Sequence, residues 1–197
     1  FNARFTRNEH GMLRVEKIPP QERLRNAVGS PNPDVRREAV VWLGKPKRRD
    51  QEAVVKLLGL VVTSDEDPTV RAAAARALGN SIRPEAIEPL IEALADESKF
   101  VRLEAATALT DRRNDNAKRA LMVRLNTDDY AQVRAAAARA LSVFHERRVL
   151  ETLIEALKDR DFAVVYEAEQ SLVRMTGFFH HFDPEQWNRW LAQLGPE

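Results

Sequence analysis

The side chains able to do chemistry fall into two groups, one periodic and one scattered. The periodic group is ionic. Arg36, Arg71, Arg102 and Arg134 each follow a valine directly, and Asp65, Asp96, Asp128 and Asp159 each stand five residues ahead of a valine of the same kind. Guanidinium and carboxylate meet as a planar bidentate pair. Each arginine is expected to pair with the acid five residues before its valine. The acids also stand at helix starts, where the helix dipole favours negative charge. The pairing stops where Val165 takes the arginine's place. The scattered group is His10, His145, His180 and His181. Adjacent histidines on a turn seldom converge on one ion, and no third ligand stands near the last two. With no cysteine there is no thiol nucleophile, disulfide or thiolate zinc site. No glycine-rich phosphate loop or nucleophile elbow appears. The expectation is no catalytic residue, no metal and no cofactor.

The elements that position the ionic residues come from one returning phrase. It is clearest from Val70 to Gly79 (VRAAAARALG), is nearly duplicated from Val133 to Leu141, and recurs more loosely from Val35, Val101 and Val164. The steps of 35, 31, 32 and 31 residues between these valines mark a repeat array. Each unit has a helix starting near the valine, here called B, and a second helix, A, with apolar residues three and four apart. B helices are expected over Pro33–Gly44, Pro68–Asn80, Lys99–Thr110, Ala131–Phe144 and Phe162–Thr176, and A helices over Gln51–Val62, Pro84–Ala95, Asn116–Asn126 and Arg148–Lys158. Helices this short are marginal alone in water, so stacking must stabilise them. At 100° per residue the valine, the alanine four residues on and the leucine eight residues on share one face of each B helix. Trp42 stands where later copies carry Ala or Ser, which suits an end unit.

The ends depart from the repeat. Residues 1–17 read as a non-helical arm with a turn at His10-Gly11. A short helix follows Pro19-Pro20, with Leu24, Ala27 and Val28 as its apolar side. Residues 18–177 form the array. Residues 178–197 hold a capping helix, N-capped by Asp183 with Pro184 in its first turn and Gln186 completing a capping box. Its stripe is Trp187, Trp190, Leu191 and Leu194. A 44% hydrophobic content over 197 residues suits a folded, soluble chain, and 31 Lys+Arg against 30 Asp+Glu leaves a formal charge of +1. No global field draws it to nucleic acid, and no apolar run approaches the ~20 residues of a membrane span. Because the chain opens at Phe1, its N-terminus is expected to be cut or processed. The compartment stays open between the cytoplasm and, behind a cleaved signal, the periplasm.

The phrase D-x-x-x-x-V-R-x-x-A-A-x-A-L-G resembles HEAT repeats, most nearly the short variety named after phycobilisome lyases, and the Phe-Asp-Pro-Glu-x-Trp-x-x-Trp ending is similar to C-termini of bacterial HEAT-repeat proteins. The resemblance implies an all-α, right-handed α-solenoid of about five HEAT-like helix pairs, with the B helices lining the concave face and the arginine–aspartate pairs forming a ladder of ion pairs and hydrogen bonds that joins successive repeats. The positions two and six after each valine would then face outward there. Among them Arg37, Arg76, Leu103, Thr107, Arg139, Tyr166 and Gln170 are the candidate contact residues for another protein or peptide. A metal-dependent HEAT-like hydroxylase would need His-Glu pairs on this face. Glu38, Glu104 and Glu167 are present, but no histidine precedes them. The B-to-A loops carry Lys45, Lys47, Arg48, Arg49, Arg112, Arg113, Arg147 and Arg148, which would form a basic edge. Without stacking aromatics there, nucleic acid is disfavoured. The expectation is a non-enzymatic, monomeric scaffold. A bilin lyase or isomerase subunit is the alternative, and nucleic-acid binding through the basic edge the third reading.

Overall fold

The computed structural model describes residues 3–7 and 11–194. Phe1 and His10, named above, lie outside the described residues; Gly11, beside His10, has a φ of 75°. The non-helical arm is a two-stranded antiparallel hairpin, β1 (Ala3–Arg7) and β2 (Leu13–Lys17), with Phe5 opposite Val15. It is the strand-forming part of a chain that is otherwise helical.

Eleven α-helices follow among the described residues. The B helices are α2 (Pro33–Leu43), α4 (Pro68–Gly79), α6 (Lys99–Ala108), α8 (Ala131–Ala140) and α10 (Phe162–Thr176). The A helices are α1 (Pro20–Gly29), α3 (Glu52–Ser64), α5 (Ile87–Ala93), α7 (Asp115–Thr127) and α9 (Arg147–Ala156), and α11 (Pro184–Gln193) closes the array. Short 3-10 turns at Pro84–Ala86 and Leu141–Val143 shorten α5 and α8 relative to the pattern. Each B helix packs on the A helix before it, giving five pairs, and successive B helices pack on one another more extensively than successive A helices. Closer packing in one layer curves the stack toward it, which puts the B layer on the concave side of an α-solenoid.

The buried face of the B helices is the one the spacing predicts. The alanines at the fourth position are at most 4% exposed and the leucines at the eighth at most 1%. The first valine differs: Val35 is 36% exposed, because no earlier B helix covers it. Glycine admits the close approach at the first two B-helix steps. A Cβ on Gly79 would lie 2.7 Å from Ala108 Cβ and 3.0 Å from its Cα, and one on Gly44 would lie 2.8 Å from Ala77 Cβ.

The loop edge carries the ladder, offset by one unit from the pairing read in the sequence. Arg71 donates through Nε and Nη2 to Asp96 of the next loop at 2.8 and 3.0 Å, while Asp65 of its own loop accepts from Nη1 through its backbone carbonyl at 2.8 Å. Arg36 does the same with Asp65 and the Ser30 carbonyl, Arg102 with Asp128 and the Asp96 carbonyl, and Arg134 with Asp159 and the Asp128 carbonyl. Each aspartate also accepts the backbone N–H two residues on, which turns the chain into the next B helix. These guanidinium side chains are 5–10% exposed.

The ends are closed differently from the expectation. Leu24 and Val28 are exposed at 38% and 49%, so α1 contacts α2 through Ala27 and Arg23 instead. Arg23 and Arg48 lie 4.7 and 3.6 Å from the ring centroid of Trp42, so a cation–π stack covers the first unit. At the other end Trp187 is fully buried and donates its indole N–H to the buried Glu169 at 2.7 Å. Leu194 is 58% exposed and falls off the stripe. Asp183 accepts from the N–H groups of Glu185 and Gln186, and the Gln186 amide donates to Asp183 Oδ2 instead of closing a capping box through the backbone.

Two predictions follow from these contacts. Gly79→Ala forces its methyl group against the backbone of α6, so urea unfolding should show a loss of about 1–3 kcal/mol. Asp128 is pushed up in pKa by burial, but hydrogen bonds from Arg102 and the Tyr130 N–H and the charges of Arg102 and Arg124 outweigh this and hold it below the usual range. A depressed folded pKa contributes stability above the unfolded value of about 3.9 that is lost as pH falls through the folded value. Asp128→Asn should therefore cost about 3 kcal/mol near neutral pH by leaving Arg102 poorly compensated. Its deficit relative to the parent chain should shrink in melts taken below pH ~3.

Candidate functional site

The concave face is built from the second, third and sixth positions after each valine. On the last three B helices these residues enclose an open groove of about 520 Å³. α6 supplies Leu103 and Thr107, α8 supplies Ala135, Ala136 and Arg139, and α10 supplies Tyr166 with Phe162 one turn earlier. Four of the seven contact residues read from the sequence therefore meet in one place: Leu103, Thr107, Arg139 and Tyr166. Arg37, Arg76 and Gln170 lie outside it. Phe162, 66% exposed, is the residue the repeat reading passed over. Its signal was available, since a large apolar side chain opens a helix directly behind its N-cap Asp161.

The groove continues into an aromatic surface at the C-terminal end. The Phe162 ring lies 6.3 Å from Tyr166 and 5.8 Å from Phe182, and Phe179 lies 6.0 Å from Phe182. His181 and Phe182 hold positive φ angles of 55° and 61°, a conformation that costs non-glycine residues energy and fixes this turn. His180 packs edge-on against Trp187 at 4.5 Å and His181 against Phe179 at 4.5 Å, so the two imidazoles serve separate ring clusters.

The arginines of this face are not available in the way their positions suggested. Arg76 donates to Glu104 of the next B helix through Nε at 3.0 Å and through Nη2, and Arg139 makes the same pair of bonds to Glu167. The carboxylate hydrogen bonds raise both guanidinium pKa values. Arg37 pairs with Asp34 at 2.8 Å, and the Thr107 hydroxyl donates to the Leu103 carbonyl at 2.8 Å. Arg76 and Arg139 are thus braces between units, and Arg37 is paired within its own helix.

The basic edge is similarly reduced. Arg112 is turned inward and donates to the carbonyls of Ala108 and Gly79 at 3.0 and 2.9 Å and to that of Ser81, closing the end of α4, and burial lowers its pKa. Arg48 stacks on Trp42, Arg49 pairs with Asp50 and Arg147 with Glu151. Asp50 in turn accepts from the Ile82 N–H and the Ser81 hydroxyl at 2.9 and 3.0 Å, which ties this edge across units. Lys45, Lys47, Arg113 and Arg148 are exposed and make no ion pair among the described residues. A second groove, of about 640 Å³, lies between α7 and α9 and is lined by Met122, Val123, Val149 and Arg148. Its Lys118 already bridges Asp115 and Glu146.

Comparison with known proteins fits this architecture. The family described as HEAT repeats matches residues 21–110, 55–142 and 119–184. The structure is similar to that of the complex of CpcE and CpcF of phycocyanin lyase from Nostoc sp. PCC7120, at TM-score 0.66 and 20% identity over 91% of this chain and 71% of that one. It is also similar to a designed armadillo repeat protein, at TM-score 0.58 and 16% identity over 89% and 87% of the two chains. Human deoxyhypusine hydroxylase matches at TM-score 0.55 and 19% identity over 81% and 74%. No curated protein matches by sequence.

Reversing one brace tests its role. Arg139→Glu sets two carboxylates against each other and should lower stability by about 1 kcal/mol at low salt. The swap Arg139→Glu with Glu167→Arg should restore most of that loss in the same denaturation assay.

Proposed function

This chain belongs to the HEAT-repeat family, and on that premise we propose that it is a non-enzymatic scaffold that holds another protein or a peptide on its concave face. The observation that carries this reading is the open groove walled by Leu103, Ala136, Phe162 and Tyr166, with large apolar groups left in solvent. Interface cores are enriched in aromatic residues and depleted in unpaired charge, and this groove has both properties. The His-Glu pairs of a HEAT-like hydroxylase have no counterpart in this sequence, because Glu38, Glu104 and Glu167 follow Arg37, Leu103 and Tyr166.

A second reading, a subunit of a bilin lyase or isomerase, is favoured by the phycobilisome-lyase type of the repeats. Its test is spectroscopic. A lyase or isomerase subunit would bind an open-chain tetrapyrrole and shift its absorbance, whereas the scaffold reading expects no shift. Nucleic-acid binding through the basic edge loses support, since Arg48, Arg49, Arg112 and Arg147 are engaged within the fold. A retained reading of that kind would require affinity that falls steeply with salt.

The deciding experiment is affinity capture from native lysate by the parent chain and by the Phe162→Ala/Tyr166→Ala double variant, followed by mass spectrometry. Both side chains are exposed, so the melt should be unchanged to within about 0.5 kcal/mol. The expected outcome is a partner recovered by the parent chain and lost from the variant. Equal recovery by both would overturn the concave site.

A further inference from the structure

The braces on the concave face alternate, and the alternation says what kind of segment the face can hold. The sixth position of one unit and the third position of the next form an ion pair between α4 and α6 (Arg76 with Glu104) and again between α8 and α10 (Arg139 with Glu167). Between α6 and α8 the same two positions are Thr107 and Ala136. That gap has no charge, and the Thr107 hydroxyl is already bonded to the Leu103 carbonyl. The groove opens there, with Leu103 and Ala136 as floor and Tyr166 as wall.

Each flanking guanidinium is matched by one carboxylate, so either flank is neutral as a pair. A carboxylate brought by a partner would gain the arginine but meet Glu104 or Glu167, and an ammonium group would meet the reverse. Neutral acceptors suffer neither penalty. Arg76 and Arg139 bond their glutamates through Nε and Nη2, and Nη1 of each has no partner among the described residues. The free donors therefore suit backbone carbonyl oxygens. Helix packing of 8–10 Å per step puts the two arginines about 16–20 Å apart, a distance that roughly five or six residues of extended chain cover at about 3.3 Å each.

We propose that the partner segment is an extended, uncharged peptide that sets one apolar side chain into the groove between Leu103, Ala136 and Tyr166 and accepts hydrogen bonds from Arg76 and Arg139 through its backbone carbonyls. This rests on the scaffold reading and adds the chemistry of the occupant. The test is selection of random peptides of about twelve residues, twice the span between the arginines, displayed on phage against the intact protein. Enriched sequences should carry one Leu, Met, Phe or Trp with Asp, Glu, Lys and Arg depleted within about three residues on either side, the reach of each arm. A synthetic peptide of the enriched sequence should lose about tenfold or more in affinity with Ala136→Glu, which fills the groove, and with Tyr166→Ala, which serves if the first variant does not fold. Its affinity should change little between low and moderate salt. Enriched peptides with acidic or basic flanks, or a steep salt dependence, would overturn the uncharged occupant while leaving the concave site in place. Binding that survives both groove variants would overturn the site and the proposal together. Failure to enrich any peptide would overturn the extended segment alone, since capture of a folded partner is scored separately.

Discussion

A buried guanidinium that clamps two successive loops is the interaction on which the stack depends. Short helices with alanine-rich faces have little intrinsic reason to stop sliding past one another, because a small flat surface tolerates many registers. The arginine after each valine removes that freedom. Its Nη1 holds a carbonyl of its own unit's entry loop, and its Nε and Nη2 hold the carboxylate of the next. The same carboxylate orders the turn that starts the following B helix. One side chain thereby couples loop shape, helix start and inter-unit offset. Burying such a pair is not in itself a large source of stability, but losing either partner is costly. The clamp therefore acts as a specifier of register, and the alanine, valine and leucine layers supply the apolar burial.

Fixed register is what allows the second set of pairs to exist. Arg76 reaches Glu104 where α4 and α6 are held close, with Gly79 admitting Ala108, and Arg139 makes the corresponding reach to Glu167 between α8 and α10. Two edges and one face of the solenoid are then crossed by polar ties: the aspartate clamps on one edge, Asp50 with the Ser81 loop on the other, and the glutamate braces on the concave side. The buried arginines Arg36, Arg71, Arg102 and Arg134 are all engaged in holding units together. The proposed contact surface is apolar and aromatic and is formed by the last three B helices.

The part of this that could be read in the sequence is the part that is local and periodic. The period, the B-helix face and the identity of the clamp residues follow from counting within one unit. The partner of each clamp arginine does not, because it depends on how far one unit is displaced on the next. The sequence places Asp65 nearest to Arg71, and the stack hands that arginine to Asp96 instead. The partners of Arg76, Arg139 and Arg112 are not readable for the same reason: the first two on their helices and the third in a loop are each engaged by a neighbour 28 or more residues away. Phe162 was hidden differently. It breaks no rule of the repeat, and only its meeting with Tyr166 and Phe182 across a turn gives it meaning. The hairpin at the start was legible as a non-helical arm, but not as paired strands.

A linear array has two ends where the nearest-neighbour scheme fails, and the two are closed by different physics. At the first unit the half-buried ring of Trp42 is covered by two cations, the buried Arg23 and the half-buried Arg48. At the last unit Glu169 is fully buried beneath Trp187, and its carboxylate also accepts the His180 N–H at 3.2 Å. That bond draws the 178–182 turn over α10 and brings Phe182 against Phe162. The aromatic end of the groove thus depends on the C-terminal cap, and the cap depends on a polar group inside the last B helix. Closure of the array and construction of the proposed binding surface are, at this end, the same event.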